Sequence, residues 1–253
     1  MKKFLLLLFI AGSFVMTGCE TTREISLNKD NSGTLTTTTD MSGMIGMAKM
    51  SGPNKEMDSL NEVIDTTLSL DKMADSLNDL TNEEKALVKK GKIGLQMNMP
   101  EDKCIIKIEF AFSNPAQINK LDKLSSKLVK QTIKKQLAAA SENSTLPGMP
   151  RGDMPEGSVE DYFIMTYSKG MIEKKLNKER YANVKNDEAM SSLKQMSEMG
   201  MGKSTLIINL PRPVKKTGGK NIKLSVDKRK VTITSELEDF FDDATALEFK
   251  IEY

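Results

Sequence analysis

Four thioethers, Met41, Met44, Met47 and Met50, recur every third residue in a chain with 18 Met and no His. Sulfur ligands at helical spacing suit Cu(I), so metal handling is one chemistry this segment offers. The bland alternative is a Met face packed on a sheet or a membrane surface, because Met fills irregular gaps. Gly200-Met201-Gly202-Lys203-Ser204 invites a phosphate-binding loop. The spacing fails, since the first glycine of G-x-x-x-x-G-K-[ST] would fall at Ser197, and a helix precedes where a strand is required. The acidic run Glu236, Glu238, Asp239, Asp242 and Asp243 lacks the alternating ligands and central glycine of a calcium loop. As an acid–base pair these carboxylates would need a shared cleft, whereas the bland reading is a solvated turn. Arg151-Gly152-Asp153 matches a cell-adhesion tripeptide, too short a match to carry weight.

Composition excludes several function classes. Without His there is no Ser-His-Asp or Cys-His pair and no His-ligated metal. Two Cys cannot close a zinc or iron–sulfur cage. Neither G-x-S-x-G nor H-E-x-x-H occurs. Lys and Arg total 37 against 35 Asp and Glu, which leaves no basic footprint for nucleic acid. The chain is therefore expected to have no catalytic residue, no cofactor and no nucleic-acid partner.

Residues 1–18 read as an export leader. Lys2 and Lys3 precede an apolar run from Phe4 to Ile10, extended through Ala11 to Val15. That run is shorter than the roughly 20 residues of a permanent span. It ends in Val15-Met16-Thr17-Gly18-Cys19, which resembles the lipobox of bacterial lipoproteins. The resemblance implies cleavage before Cys19, diacylglycerol on its sulfur and an acyl chain on its new amino group. Each buried CH₂ contributes about 0.8 kcal/mol, so three chains hold a protein to a bilayer far more firmly than one. Two of the 37 basic residues and none of the 35 acids lie in 1–18, so residues 19–253 are electrically neutral. Acylation of Cys19 would leave Cys104 with no disulfide partner. Cys104 leads the alternating run Cys104, Ile106, Ile108, Phe110, Phe112 and is expected as a small buried hydrophobe. In enteric lipoproteins Asp after the lipidated Cys retains the protein at the inner membrane; Glu20 here points to the outer membrane.

The elements that must position these residues alternate between strand and helix periods. Residues 23–39 predict a hairpin about Asn31-Ser32-Gly33, and Asp40 caps a Met-rich helix over 41–50. Residues 62–70 favour a strand, with a helix through 57–80 as the competitor. Thr81-Asn82-Glu83-Glu84 is a capping box opening a short helix to Lys90. Ile93 to Met99 and Cys104 to Phe112 form the clearest hairpin. Asn114-Pro115-Ala116-Gln117 starts a helix with Ile118, Leu121, Leu124, Leu128 and Leu137 on one side. Residues 141–158 carry three Pro and three Gly and read as a linker or long loop. Strands at 160–167, 171–177, 204–210, 221–226, 230–236 and 246–253 and a helix near 187–199 follow, with the acidic run as a turn. The organisation predicted is a 1–18 signal peptide, a 19–140 N-terminal α+β region, the 141–158 linker and a 159–253 C-terminal α+β region, which could be continuous with the first. The fold class predicted is α+β, an antiparallel sheet of β-hairpins with helices packed on one face.

The order of Cys19, Asn31-Ser32-Gly33, Asp40-Met41-Ser42-Gly43-Met44, Asp65-Thr66-Thr67, Met97-Asn98-Met99 and Ser113-Asn114 resembles a group of Bacteroidota lipoproteins to which no activity is attached. The resemblance covers somewhat under half the chain. It implies an outer-membrane or surface lipoprotein whose partners are the bilayer, through acylated Cys19, and other envelope proteins. The expected function is a non-enzymatic structural, adaptor or binding module of the cell envelope. The competing expectation is copper handling by the Met-rich segment or a carboxylate-dependent hydrolase.

Overall fold

A computed structural model describes residues 19–50, 63–75, 77, 80–140, 157–198 and 200–253. The expected leader, and residues 141–156 of the expected linker, lie outside the described residues.

An eight-stranded sheet forms the frame. Its strands are β1 (Glu20–Leu27), β2 (Gly33–Asp40), β3 (Val63–Ser69), β4 (Lys92–Asn98), β5 (Lys103–Phe112), β8 (Lys203–Asn209), β10 (Ile222–Leu224) and β11 (Lys230–Glu236). Their order is β10-β11-β8-β1-β2-β5-β4-β3. A smaller sheet runs β6-β7-β12-β9, from β6 (Phe163–Ser168), β7 (Met171–Leu176), β9 (Lys216–Gly219) and β12 (Phe249–Glu252). Every pairing is antiparallel except β1 with β8, where Ile25 lies beside Ile208 and Arg23 beside Leu206. Strands from both sides of 141–158 thus share the large sheet.

Period-two alternation decides which face is covered. Cys104, Ile106, Ile108, Phe110 and Phe112 of β5 are all buried, and so are Ile25 and Leu27 of β1, Leu206 and Ile208 of β8 and Val231 of β11. The opposite face is mostly polar, with Ile105 and Ile207 among its exceptions. On it Thr234, Thr205, Thr22 and Thr38 stand side by side across four strands, half-buried.

The covering layer begins with α4 (Ile118–Ala140). Its start is fixed by Asn114, whose side chain accepts from the Ala116 N–H while Gln117 reaches back to the Asn114 N–H. Ile118, Leu121, Leu124 and Leu128 form its buried stripe against β2 and β5. Ile172, Phe249 and Ile251 of the small sheet join the same core. The short helices are α1 (Ser42–Met50), α2 (Asp71–Asp75), α3 (Asn82–Val88), α5 (Lys178–Tyr181), α6 (Glu188–Glu198) and α7 (Leu237–Asp243). Thr81 and Glu84 cap α3 reciprocally.

A second core gathers Tyr162, Phe163, Met190, Phe240, Ala244 and Leu247. The Phe240 ring lies 5.4 Å from Tyr162 and meets Tyr181 edge-on at the same distance. Both phenols find acceptors, Tyr162 at Asp187 (2.7 Å) and Tyr181 at the Phe240 carbonyl (3.1 Å). Burial, with the bond to Asp187, raises the Tyr162 phenol to about 12.

Three expectations need correction. Residues 159–162 form a 3₁₀ turn ahead of β6 rather than the start of a strand, because Ser158 and Asp161 cap it reciprocally. Within the expected linker, Gly157 and Ser158 are built into the fold; a Cβ on Gly157 would stand 2.8 Å from that of Ala189. The acidic run is helix α7, not a turn. Glu236 and Asp239 box its start, and Phe240 is driven into the aromatic core.

The two faces of the sheet should respond differently to truncation. Ile108→Ala is expected to cost about 2–5 kcal/mol of stability, by lost burial and a residual cavity. Lys107→Ala, one residue away and pointing outward, should stay within about 0.5 kcal/mol. Urea denaturation midpoints check both.

Candidate functional site

Burying Ile25 and Leu27 carries Arg23 to the same covered face, since side chains two apart share a side. A guanidinium held there must be paired. Its Nη1 donates to Asp122 Oδ2 at 2.7 Å and its Nη2 to Glu160 Oε1 at 2.6 Å. Asp122 follows Leu121 on α4, so it sits on the margin of the buried stripe. Glu160 comes from the 3₁₀ turn before β6. Lys174, two residues after buried Ile172 on β7, donates to Glu160 at 3.0 Å and lies 4.1 Å from the centre of the Phe163 ring. Four charges thus join the large sheet, α4 and the small-sheet layer.

The side chains of Arg23 and Lys174 are only 15% and 8% exposed. Burial pushes the Glu160 carboxyl up, but the charges of Arg23 and Lys174 and their hydrogen bonds outweigh it and hold it at about 2. Burial works against the Arg23 charge too, and Asp122 with Glu160 reverses that, raising its pKa. For Lys174 burial prevails, so its ammonium is held below the usual lysine range despite Glu160. Burial raises the Tyr167 phenol beside them.

A cavity of about 810 Å³ opens beside this network, between α4, β1 and β6. Ile25, Leu35, Ile118 and Phe163 give it apolar walls, and Asn119 and Ser126 polar ones. A second space of about 290 Å³ shares Arg23, Asp122, Glu160 and Lys174 with it and reaches Thr21, Thr37, Thr39 and Cys19. Both spaces border β1, and the Arg23 network lines each of them. Thr37 borders the second space, and its buried hydroxyl has no hydrogen-bond partner among the described residues.

Cys19 lies directly before β1, half-buried against the core. Burial, reinforced by Asp40, raises its thiol to about 11. Cys104 is buried, and burial with Asp40 raises it to about 11 as well. Both are free thiols. Met41 is in the core, and its N–H donates to the Cys104 carbonyl at 2.9 Å. The side chains of Met44, Met47 and Met50 lie outside the described residues, as does Arg151-Gly152-Asp153.

Gly200 ends α6 with φ +70°. Its N–H donates to the Ser197 carbonyl, and the Met201 N–H to that of Met196, the paired bonds of a helix stop. Lys203 then begins β8, so Gly200–Ser204 is a helix end leading into a strand. The acidic run disperses over α7, with Asp239 accepting from the Glu236 N–H and Asp243 facing Lys220 at 3.4 Å. Among the described residues, no three His, Cys, Asp or Glu side chains come together as a metal set.

Sequence reasoning missed the four-charge network. A signal for half of it was present. Arg23 is in phase with Ile25 and Leu27, and Lys174 with Ile172, so each charge occupies an inward position of an apolar alternation. Asp122 and Glu160 carried no such mark.

Comparison with known proteins gave no match to any family model, curated protein or solved structure.

Glu160 ionises at lower pH folded than unfolded. Its stabilising contribution is therefore complete above the unfolded carboxylate value of about 4.3 and is lost as pH falls from there through about 2. Glu160→Gln leaves Arg23 and Lys174 under-paired and should cost about 3 kcal/mol at pH 7. The same variant should show a flatter loss of stability below pH 5. Urea unfolding across a pH series measures both, and equal stability of the two proteins at pH 7 would contradict the assignment.

Proposed function

We propose that the protein is a membrane-anchored lipoprotein of the outer membrane, a non-enzymatic binding module of the cell envelope whose ligand seat is the cavity beside Arg23. The observation that carries this reading is the Val15-Met16-Thr17-Gly18-Cys19 box behind a charged and then apolar leader. Glu20, rather than Asp, favours the outer membrane. With acyl chains on Cys19, the sheet starts at the next residue, so the body rides on the bilayer without a spacer.

A half-buried Cys19 whose thiol is raised to about 11 holds almost no thiolate at neutral pH in the folded chain. The cavity favours binding over catalysis. Glu160 has no proton to give near neutral pH, and its charge is committed to Arg23 and Lys174.

Mass spectrometry of the protein taken from its native envelope tests the anchor. The expected product begins at Cys19 and carries diacylglycerol and one further acyl chain. Cys19→Ala should abolish the added mass and leave the leader uncleaved. A native product beginning elsewhere, or beginning at Cys19 without acyl mass, contradicts the proposal.

A further inference from the structure

We infer that the turn between β10 and β11 is a membrane-contact surface, which takes the headgroup layer of a bilayer rich in anionic lipid and buries Val226 in it. This goes beyond the anchored binding module and stands without acylation of Cys19.

Residues 19–253 are neutral as a whole, but their charge is unevenly placed. Eight of the 21 residues 211–231 are Lys or Arg, and Asp227 is the one acid among them. All eight cations are exposed. The Leu210 N–H donates to the Arg229 carbonyl and the Val214 N–H to that of Lys228, both at 2.8 Å, so the loop carrying Arg212 lies against the turn. Lys220 is paired with Asp243 at 3.4 Å, and the Lys215 ammonium donates to the Tyr253 carbonyl at 3.2 Å. Arg212, Lys223, Lys228, Arg229 and Lys230 make no ion pair with a carboxylate among the described residues.

The turn is held from within. Asp227 accepts from the Ser225 hydroxyl at 2.6 Å and from the Arg229 N–H at 3.1 Å, and the Ser225 N–H donates to the Lys230 carbonyl at 2.9 Å. This arrangement leaves Val226 wholly exposed, and Leu224, two residues earlier, is 40% exposed. At a bilayer the cations meet lipid phosphates while the valine leaves water. Composition favours lipid over a protein partner. Six of the eight cations are Lys, which protein interfaces disfavour, and 211–231 holds no aromatic anchor. A soluble polyanion would give Val226 nothing apolar to enter.

Asn209 lies beside Ser26 and Lys230 beside Asn209, so the turn stands at the end of the sheet remote from Cys19. The eight residues of β1 between these ends span roughly 26 Å at 3.3 Å per residue. With Cys19 acylated, both ends would meet one bilayer with the strands lying along it. A lipid chain plus a cationic patch is a pair of signals that makes anchoring stable.

Residues 19–253 hold every described element and both cores, so that stretch with Cys19→Ser is a form without acyl chains, and a cooperative urea transition shows that it is folded. Sedimentation with vesicles of equal parts phosphatidylglycerol and phosphatidylcholine should carry it down, and pure phosphatidylcholine should not. Lys228→Gln with Arg229→Gln should weaken binding about 25-fold, at about fivefold per cation. Lys185→Gln with Lys194→Gln, exposed cations outside the stretch, should leave it unchanged. The chain has no Trp, so Val226→Trp gives one reporter, whose emission should shift to the blue on the anionic vesicles and be quenched by brominated lipid. The same substitution in the acylated protein, reconstituted in anionic vesicles, reads the contact a second way. Equal binding to both vesicles, equal losses in the two double variants, an unmoved Trp emission, or binding to heparin without binding to vesicles would each overturn the inference. No vesicle binding beside an acylated native Cys19 would remove this surface and leave the anchor. Vesicle binding beside an unacylated native Cys19 would remove the anchor and support this surface.

Discussion

A guanidinium on the covered face of a central strand cannot be left dry and unpaired, and this constraint at Arg23 organises the molecule. Its two carboxylates are 99 and 137 residues away in sequence, on α4 and on the turn before β6. Satisfying the one cation therefore brings three layers to fixed positions. Desolvating such charges costs several kcal/mol per ion, which the pairing roughly offsets. The network is better understood as a device of specificity than as a source of net stability. The same four side chains line the cavity.

Strand β1 carries the rest. It pairs antiparallel with β2 and parallel with β8, so it is where strands from the two ends of the chain join in one sheet. Along its eight residues it supplies the core through Ile25 and Leu27 and the network through Arg23, and Cys19 stands one residue before it. Under the proposed anchoring, the point of membrane attachment and the ion network belong to one rigid element.

The parts of this arrangement legible in the sequence are the local ones. The β1–β2 and β4–β5 hairpins and the capping boxes at Thr81 and Asn114 depend on neighbours within a few residues, and those residues state their roles. The parallel β1–β8 pairing depends on residues about 180 positions apart, and no local pattern encodes it. Helix α7 was obscured by its own charges. Glu236 to Asp243 reads as a solvated turn until Phe240 is seen to need the aromatic pocket formed by Tyr162 and Tyr181. Strand β9, Lys216–Gly219, carries two glycines and almost no apolar signal and is held by its register with β12. For the site, phase was the informative quantity. Arg23 and Lys174 stand at inward positions, and their partners became visible only when the chain was folded.

The most direct test of this account is a double-mutant cycle on Arg23→Met and Glu160→Gln, read by urea unfolding at pH 7. The account predicts that each single change destabilises and that the double variant loses less than their sum, with a coupling of about 1–3 kcal/mol. Strict additivity would mean that the two side chains act independently, and the layers would then owe their positions to something else.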